Sequence, residues 1–279
     1  MTNQVERLNQ ALAGRYRVAR QVARDGWMVY LAHDLQHHRE VWLFVTVPAS
    51  AVGAERFLRE MALIARLDHP HILPLLDSGH AGEFLYYVVP HRGGSLRDRL
   101  RREKQLPVHD ALQITRQVAE ALTYAQSHGV VHGDIKPENI LLAGGHARVA
   151  DFGWTAQSLP AAGETPTALG LSIGTPEYMS PERATGAGDV GHRSDVYSLA
   201  AVLYEMLIGT PPFVASDARA VLARVIGEIP TPVHRLRSDV PAAVEAALSC
   251  ALAKLPADRF ATALAFAEAL EPDGTVGPL

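Results

Sequence analysis

Residues 130–153 read VVHGDIKPENILLAGGHARVADFG, the most specific stretch of the chain. Asp134, Lys136, Asn139 and Asp151 are set at fixed spacing in turns between short apolar runs. The bland reading is an acidic turn between two strands. The alternative is a polar site whose groups the turns bring together.

The rest of the chain bounds what such a site can serve. With 279 residues, the chain can bury one large or two small cores. It is 48% apolar and 20% charged, as ordinary folded proteins are. A net charge of -4 gives no reason to expect a nucleic-acid partner. Cys250 is the single cysteine, so no internal disulfide forms. The first residues, MTNQVERLNQALAG, lack the basic start and apolar stretch of a signal peptide. The run VYSLAAVLYEMLIG at 196–209 is too short for a membrane span and carries Glu205 in its middle. It reads as a buried core helix, and a cytoplasmic protein is expected. The 13 histidines, including HHRE at 37–40, show no metal-ligand spacing and read as solvated.

The hydrophobic pattern divides the chain in two. Strands are expected at RYRVARQVA, MVYLAHD and EVWLFVTV, and again at ILPLLDSG and FLYYVVP. Between them, residues 54–67 carry Phe57, Met61, Ile64 and Ala65 at helical spacing. A glycine-marked joint, RGGSL at 92–96, precedes helical patterns at 107–128 and near 194–208, 217–226, 241–253 and 261–270. The expected architecture is α+β with two lobes. An extension covers 1–14, a small β-rich lobe with one main helix 15–91, a larger helical lobe 92–272 and a tail 273–279.

The segment at 130–153 resembles the catalytic loop and metal-binding turn of protein kinases, H-R-D-x-K-x-x-N followed by D-F-G. The resemblance covers residues 15 to about 270, and bacterial Ser/Thr kinases are similar in style. It implies Asp134 as the base near the acceptor hydroxyl, Lys136 beside the transferred phosphate, and Asn139 and Asp151 as magnesium ligands. GTPEYMSPE at 174–182 resembles the end of the activation segment. Glu182 is its acidic member and Arg259 in PADRF the usual partner. Asp195 matches the residue that holds the catalytic loop. Glu60, in RFLREMALIARLDHPHILPL, takes the ion-pairing position of the small-lobe helix. Val89 is expected behind the nucleotide pocket, followed by Pro90, His91 and Arg92 in the hinge.

The small lobe departs from the family. Its third strand normally reads V-A-x-K, the alanine over the adenine and the lysine on the phosphates. Here those positions are Trp42 and Phe44. Lysine occurs only at 104, 136 and 254, so no small-lobe lysine can substitute. Arg20 and Arg24 are the candidate replacements for pairing with Glu60 or a phosphate. The glycine loop before Val29 retains only Gly26, and not at a fingerprint position. Gly133 stands where the family often has the arginine that binds a phosphorylated activation loop, so Thr165, Thr167 and Ser172 lose that receptor.

These losses imply a pseudokinase, a binding or regulatory module whose Mg-ATP binding is weak or absent and whose partner is a protein. The alternative is a weakly active Mg-ATP-dependent Ser/Thr protein kinase using Asp134, Lys136, Asn139 and Asp151. A further alternative is a small-molecule phosphotransferase, since kinases of the aminoglycoside type also use H-G-D. Those enzymes are not expected to carry the 174–182 segment.

Overall fold

The computed structural model describes residues 2–22, 28–48, 51–91, 93–152, 175–186 and 190–271. They fall into two compact units. One is Met1–Asp68 with Leu73–Arg92, the other His69–Ile72 with Gly93–Leu279.

The N-terminal unit is a five-stranded antiparallel sheet with two helices. Its elements are α1 (Thr2–Ala11), β1 (Tyr16–Val22), β2 (Met28–Asp34), β3 (Arg39–Thr46), α2 (Ala51–Ile64), β4 (Asp77–Ala81) and β5 (Phe84–Pro90). The strand order is β1-β2-β3-β5-β4. Alternation along β3 sorts its side chains to two faces. Val41, Leu43 and Val45 are fully buried in a core with Tyr30, Ala32, Tyr86 and Val88. Leu8 and Leu12, from α1 and just after it, complete that core. The expected extension 1–14 therefore contributes side chains to the sheet's own core. Pairing between Val18 and Arg20 skips a residue. This bulge turns Arg20 onto the face of Leu31 and Trp42, rather than the core face of Val18.

The C-terminal unit carries β6 (Gly94–Ser95), α3 (Leu96–Glu103), α4 (Val108–Ser127), β7 (Ile140–Ala143), β8 (His146–Val149), α5 (Pro181–Thr185), α6 (His192–Ile208), α7 (Ala218–Gly227), α8 (Val233–Leu236), α9 (Ala242–Ala251) and α10 (Ala263–Ala269). Strands β6, β7 and β8 form a small antiparallel sheet. Helix α6 is buried from Ser194 to Leu207 and packs against α4, α9 and α10. Its Glu205 is buried too, and it accepts hydrogen bonds from Arg97 and Tyr178. Gly209 ends α6 in the left-handed region at φ 89°, where a side chain would be strained.

Two expected elements move. The strand expected from Ile72 starts only at Asp77. Val149 N–H donates to the His71 carbonyl (2.8 Å) and Ile72 bridges Val149, so the start of this apolar run is spent on the C-terminal unit, while Leu76 packs on the N-terminal core. The helix expected at 54–67 runs Ala51–Ile64. The histidines are not all solvated: His132 is fully buried. Among the described residues no helix is long and apolar enough to cross a membrane.

Candidate active site

Each unit carries part of the site expected from the sequence. In the C-terminal unit the part begins with a buried carboxylate. Asp195, in the first turn of α6, accepts the N–H groups of His132 (2.9 Å) and Gly133 (2.6 Å). These bonds fix the loop that presents Asp134. Gly133 sits at φ 72°, a conformation that glycine adopts without strain. Burial pushes the Asp195 carboxyl up, against the pull of the facing His132 and the two N–H groups.

His132 ties the two acidic positions together. Its Nε2–H donates to the Ala150 carbonyl (2.8 Å) and its Nδ1 accepts the Asp134 N–H (3.1 Å). The carbonyl fixes which ring nitrogen holds the proton. Asp151 follows Ala150 with φ 64°, uncommon for a residue with a side chain. The family motif contains this histidine, but spacing alone assigned it no contact.

Asp134 is buried. Lys136 Nζ lies 2.8 Å from its Oδ2, and Arg183 Nη1 lies 3.6 Å from its Oδ1. Burial alone would push the carboxyl up. The Lys136 and Arg183 cations outweigh it and hold the group below the usual carboxylate range. Asn139 donates its amide to the Asp134 carbonyl (2.8 Å) and to Oδ2 (3.2 Å). The atom that Asn139 can offer a cation is its amide oxygen, which suits a hard ion, as does the Asp151 carboxylate. Among the described residues, no three His, Cys, Asp or Glu side chains are placed to hold a metal by themselves. A magnesium ion here would take its remaining ligands from phosphates and water, as that ion commonly does. The donor set fits.

Around this loop, Arg259 makes a two-pronged pair with Glu182 (2.7 and 2.8 Å), and its side chain is fully buried. Burial raises the Glu182 carboxyl, but Arg259 and Ser194 hold it below its usual range. Arg97 bonds Glu138 (2.7 Å), Glu205 (2.7 Å) and the Tyr178 hydroxyl. It thus joins α3 to the residue before Asn139, to the 175–182 segment and to α6. Neither Arg97 nor Arg183 was identified from the sequence. The nearest signal is compositional: 23 of the 26 Lys and Arg residues are arginine.

In the N-terminal unit, Val29 pairs with Phe44 and Phe44 with Tyr87, while Leu31 pairs with Trp42 and Trp42 with Val89. Directly opposed residues share a face, so Val29, Trp42, Phe44 and Val89 lie together on the face opposite Val41, Leu43 and Val45. Phe44 is 3% exposed and stacks on Tyr87 with ring centres 4.4 Å apart. Trp42 meets His91 edge-on at 4.8 Å. Pro90 does not join them. It ends β5 opposite Val41, on the core face. Glu60 is drawn to its own helix, with Arg56 Nε 3.1 Å from Oε1, and Oε2 is buried without a hydrogen bond. Burial pushes its carboxyl up. Arg20 is exposed, and among the described residues Glu60 pairs with Arg56. Arg24, Gly26, Arg92, Thr165, Thr167 and Ser172 lie outside the described residues.

Comparison with known proteins agrees with this geometry. The chain is 37% identical over 264 residues to serine/threonine-protein kinase PknB of Mycolicibacterium smegmatis, covering 91% of this chain and 42% of that protein. It is 39% identical over 257 residues to serine/threonine-protein kinase PknD of Mycobacterium tuberculosis, covering 90% and 38%. PknB of Mycobacterium leprae is 36% identical over 244 residues, covering 84% and 39%. The chain thus spans about two fifths of the length of these relatives. The protein kinase domain family matches residues 31–269, from β2 to the end of α10, and the chain belongs to that family.

Proposed function

We propose that the chain is a Mg-ATP-dependent Ser/Thr protein kinase domain with a weakened small-lobe hold on its nucleotide. The observation that carries this is the Asp134 carboxylate. It is buried, kept ionised by Lys136 and Arg183, and fixed through Asp195 and His132. A carboxylate so held can accept the proton of a substrate hydroxyl as the oxygen attacks. Lys136 beside it supplies positive charge where phosphoryl oxygens gather. Magnesium, when bound by Asn139 and Asp151, would neutralise the charge of the transferring group. The similarity to serine/threonine-protein kinases supports the same activity. The 175–182 segment, held by the Glu182–Arg259 pair and by Tyr178–Glu205, supports a protein substrate over a small molecule.

A second reading is the pseudokinase. It is favoured by Phe44, buried and stacked on Tyr87 at the position of the family lysine, and by Glu60 paired within its own helix. Label transfer from γ-labelled Mg-ATP to a Ser/Thr peptide library separates the two. The first reading expects slow, magnesium-dependent transfer onto Ser or Thr. Binding without transfer, or no binding, supports the second.

A further inference from the structure

Residue 183 follows the Glu182 anchor, and its side chain turns toward the catalytic loop. Arg183 Nη1 donates to the Gly133 carbonyl and lies 3.6 Å from Asp134 Oδ1. The guanidinium is 15% exposed and the carboxylate 10%, so water screens the pair little. Lys136 approaches the other oxygen, Oδ2, at 2.8 Å. Asn139 also donates to Oδ2, at 3.2 Å. Oδ1 therefore faces one cation and Oδ2 the other.

The division matters for chemistry. A base must keep one oxygen directed at the incoming hydroxyl. A carboxylate held only through Oδ2 can rock about its Cβ–Cγ bond by lengthening those contacts alone. A second cation on the Oδ1 side, anchored on the carbonyl of the preceding residue, restricts that rotation. Arg183 is itself placed by α5, which Gly186 caps in the left-handed conformation. The adjacent Glu182 is locked by Arg259. The guanidinium therefore reports the seating of the 175–186 segment directly to the base.

We propose that Arg183 is a positioning residue for Asp134, a second cation that orients the carboxylate and couples it to the seating of the 175–186 segment. This rests on the reading of Asp134 as the base. The test reads the Arg183–Asp134 contact and not turnover, so a chain without phosphotransfer still answers it.

The experiment is NMR at one pH near neutrality, reading the Asp134 carboxyl carbon and the Arg183 guanidinium nitrogens in the wild type, Arg183→Gln and Arg183→Lys. In the wild type the Arg183 Nη signals should be resolved from one another, as in a guanidinium held on fixed acceptors, which needs no variant to fold. Arg183→Gln should move the Asp134 carboxyl signal, and Arg183→Lys should restore much of its wild-type position. An Asp134 carboxyl signal unchanged in folded Arg183→Gln overturns the proposal. So do wild-type Arg183 signals averaged as in a freely rotating side chain.

Discussion

The two units differ in how the charges of their candidate site residues are partnered. In the C-terminal unit the carboxylates meet cations or N–H groups from distant sequence: Asp195 with Gly133, Asp134 with Arg183, Glu182 with Arg259 and Glu205 with Arg97. In the N-terminal unit Glu60 pairs, among the described residues, with Arg56, four residues away on the same helix, and one of its oxygens is buried there without a hydrogen bond. The face that shares Val29 and Val89 carries Trp42 and Phe44 in place of a small residue and a cation. Under the proposed function, the acceptor-side residues are kept and the face proposed to grip the nucleotide is altered, so nucleotide affinity is where loss is expected first.

The largest effect should come from breaking the best-buried pair. Arg259→Ala leaves Glu182 buried without its partner and should destabilise the C-terminal unit by about 3–5 kcal/mol. Arg56→Ala removes a half-exposed pair and should cost about 1 kcal/mol or less. Thermal melts of both variants check the contrast. Equal shifts would erase the distinction between the units.

Next comes Leu8→Ala. Leu8 is fully buried against the sheet, so its loss should cost about 2–5 kcal/mol. Hydrogen exchange should rise in β1–β3 before it rises in α6. Unchanged protection of the sheet would mean that α1 is not part of the N-terminal core.

A smaller effect is a gain. Trp42→Ala with Phe44→Lys opens one position and adds a cation on the altered face. The double variant should bind Mg-ATP about tenfold more tightly, roughly 1.4 kcal/mol. The single changes should give less than their sum, since they act on one ligand. Calorimetry on folded variants measures this. No gain would show that these two residues are not the barrier.

The smallest effect is a pH limb. Glu182 is held low in the folded state, so its contribution is present above the unfolded carboxylate range, near pH 4.3. It is lost as the pH falls through the lower folded value. Glu182→Gln should flatten that acid limb in chemical-denaturation curves taken between about pH 3 and 6. An unaltered limb would assign the acid sensitivity to other carboxylates.

Much of this molecule was legible in the sequence because its signals are local. The alternation in REVWLFVTV gave β3 and correctly sent Val41, Leu43 and Val45 to the core face. The continuous apolar run around Glu205 gave a buried helix. Helix α3 was missed because LRDRLRRE carries only two apolar side chains, Leu96 and Leu100. Its signal was the capping box, Ser95 with Asp98. Helix α1 was missed because few positions make its stripe, chiefly Val5 and Leu8 with Leu12 beyond its end. The site's named acids were legible from their motif. Their cations were not, since Arg183 reaches Asp134 and Arg97 reaches Glu205 across long sequence separations. Spacing carries no record of a contact that only the fold creates.

The central claim is that the acceptor side works. Its most direct test is the rate of phosphoryl transfer from Mg-ATP at saturating nucleotide, wild type against Asp134→Asn, which keeps the shape and removes the base. The account predicts measurable transfer to Ser or Thr by the wild type and a loss of about 10²–10⁴-fold in the variant, with both chains folded. Transfer that survives Asp134→Asn, or a folded wild type that transfers nothing at saturating Mg-ATP, would contradict it.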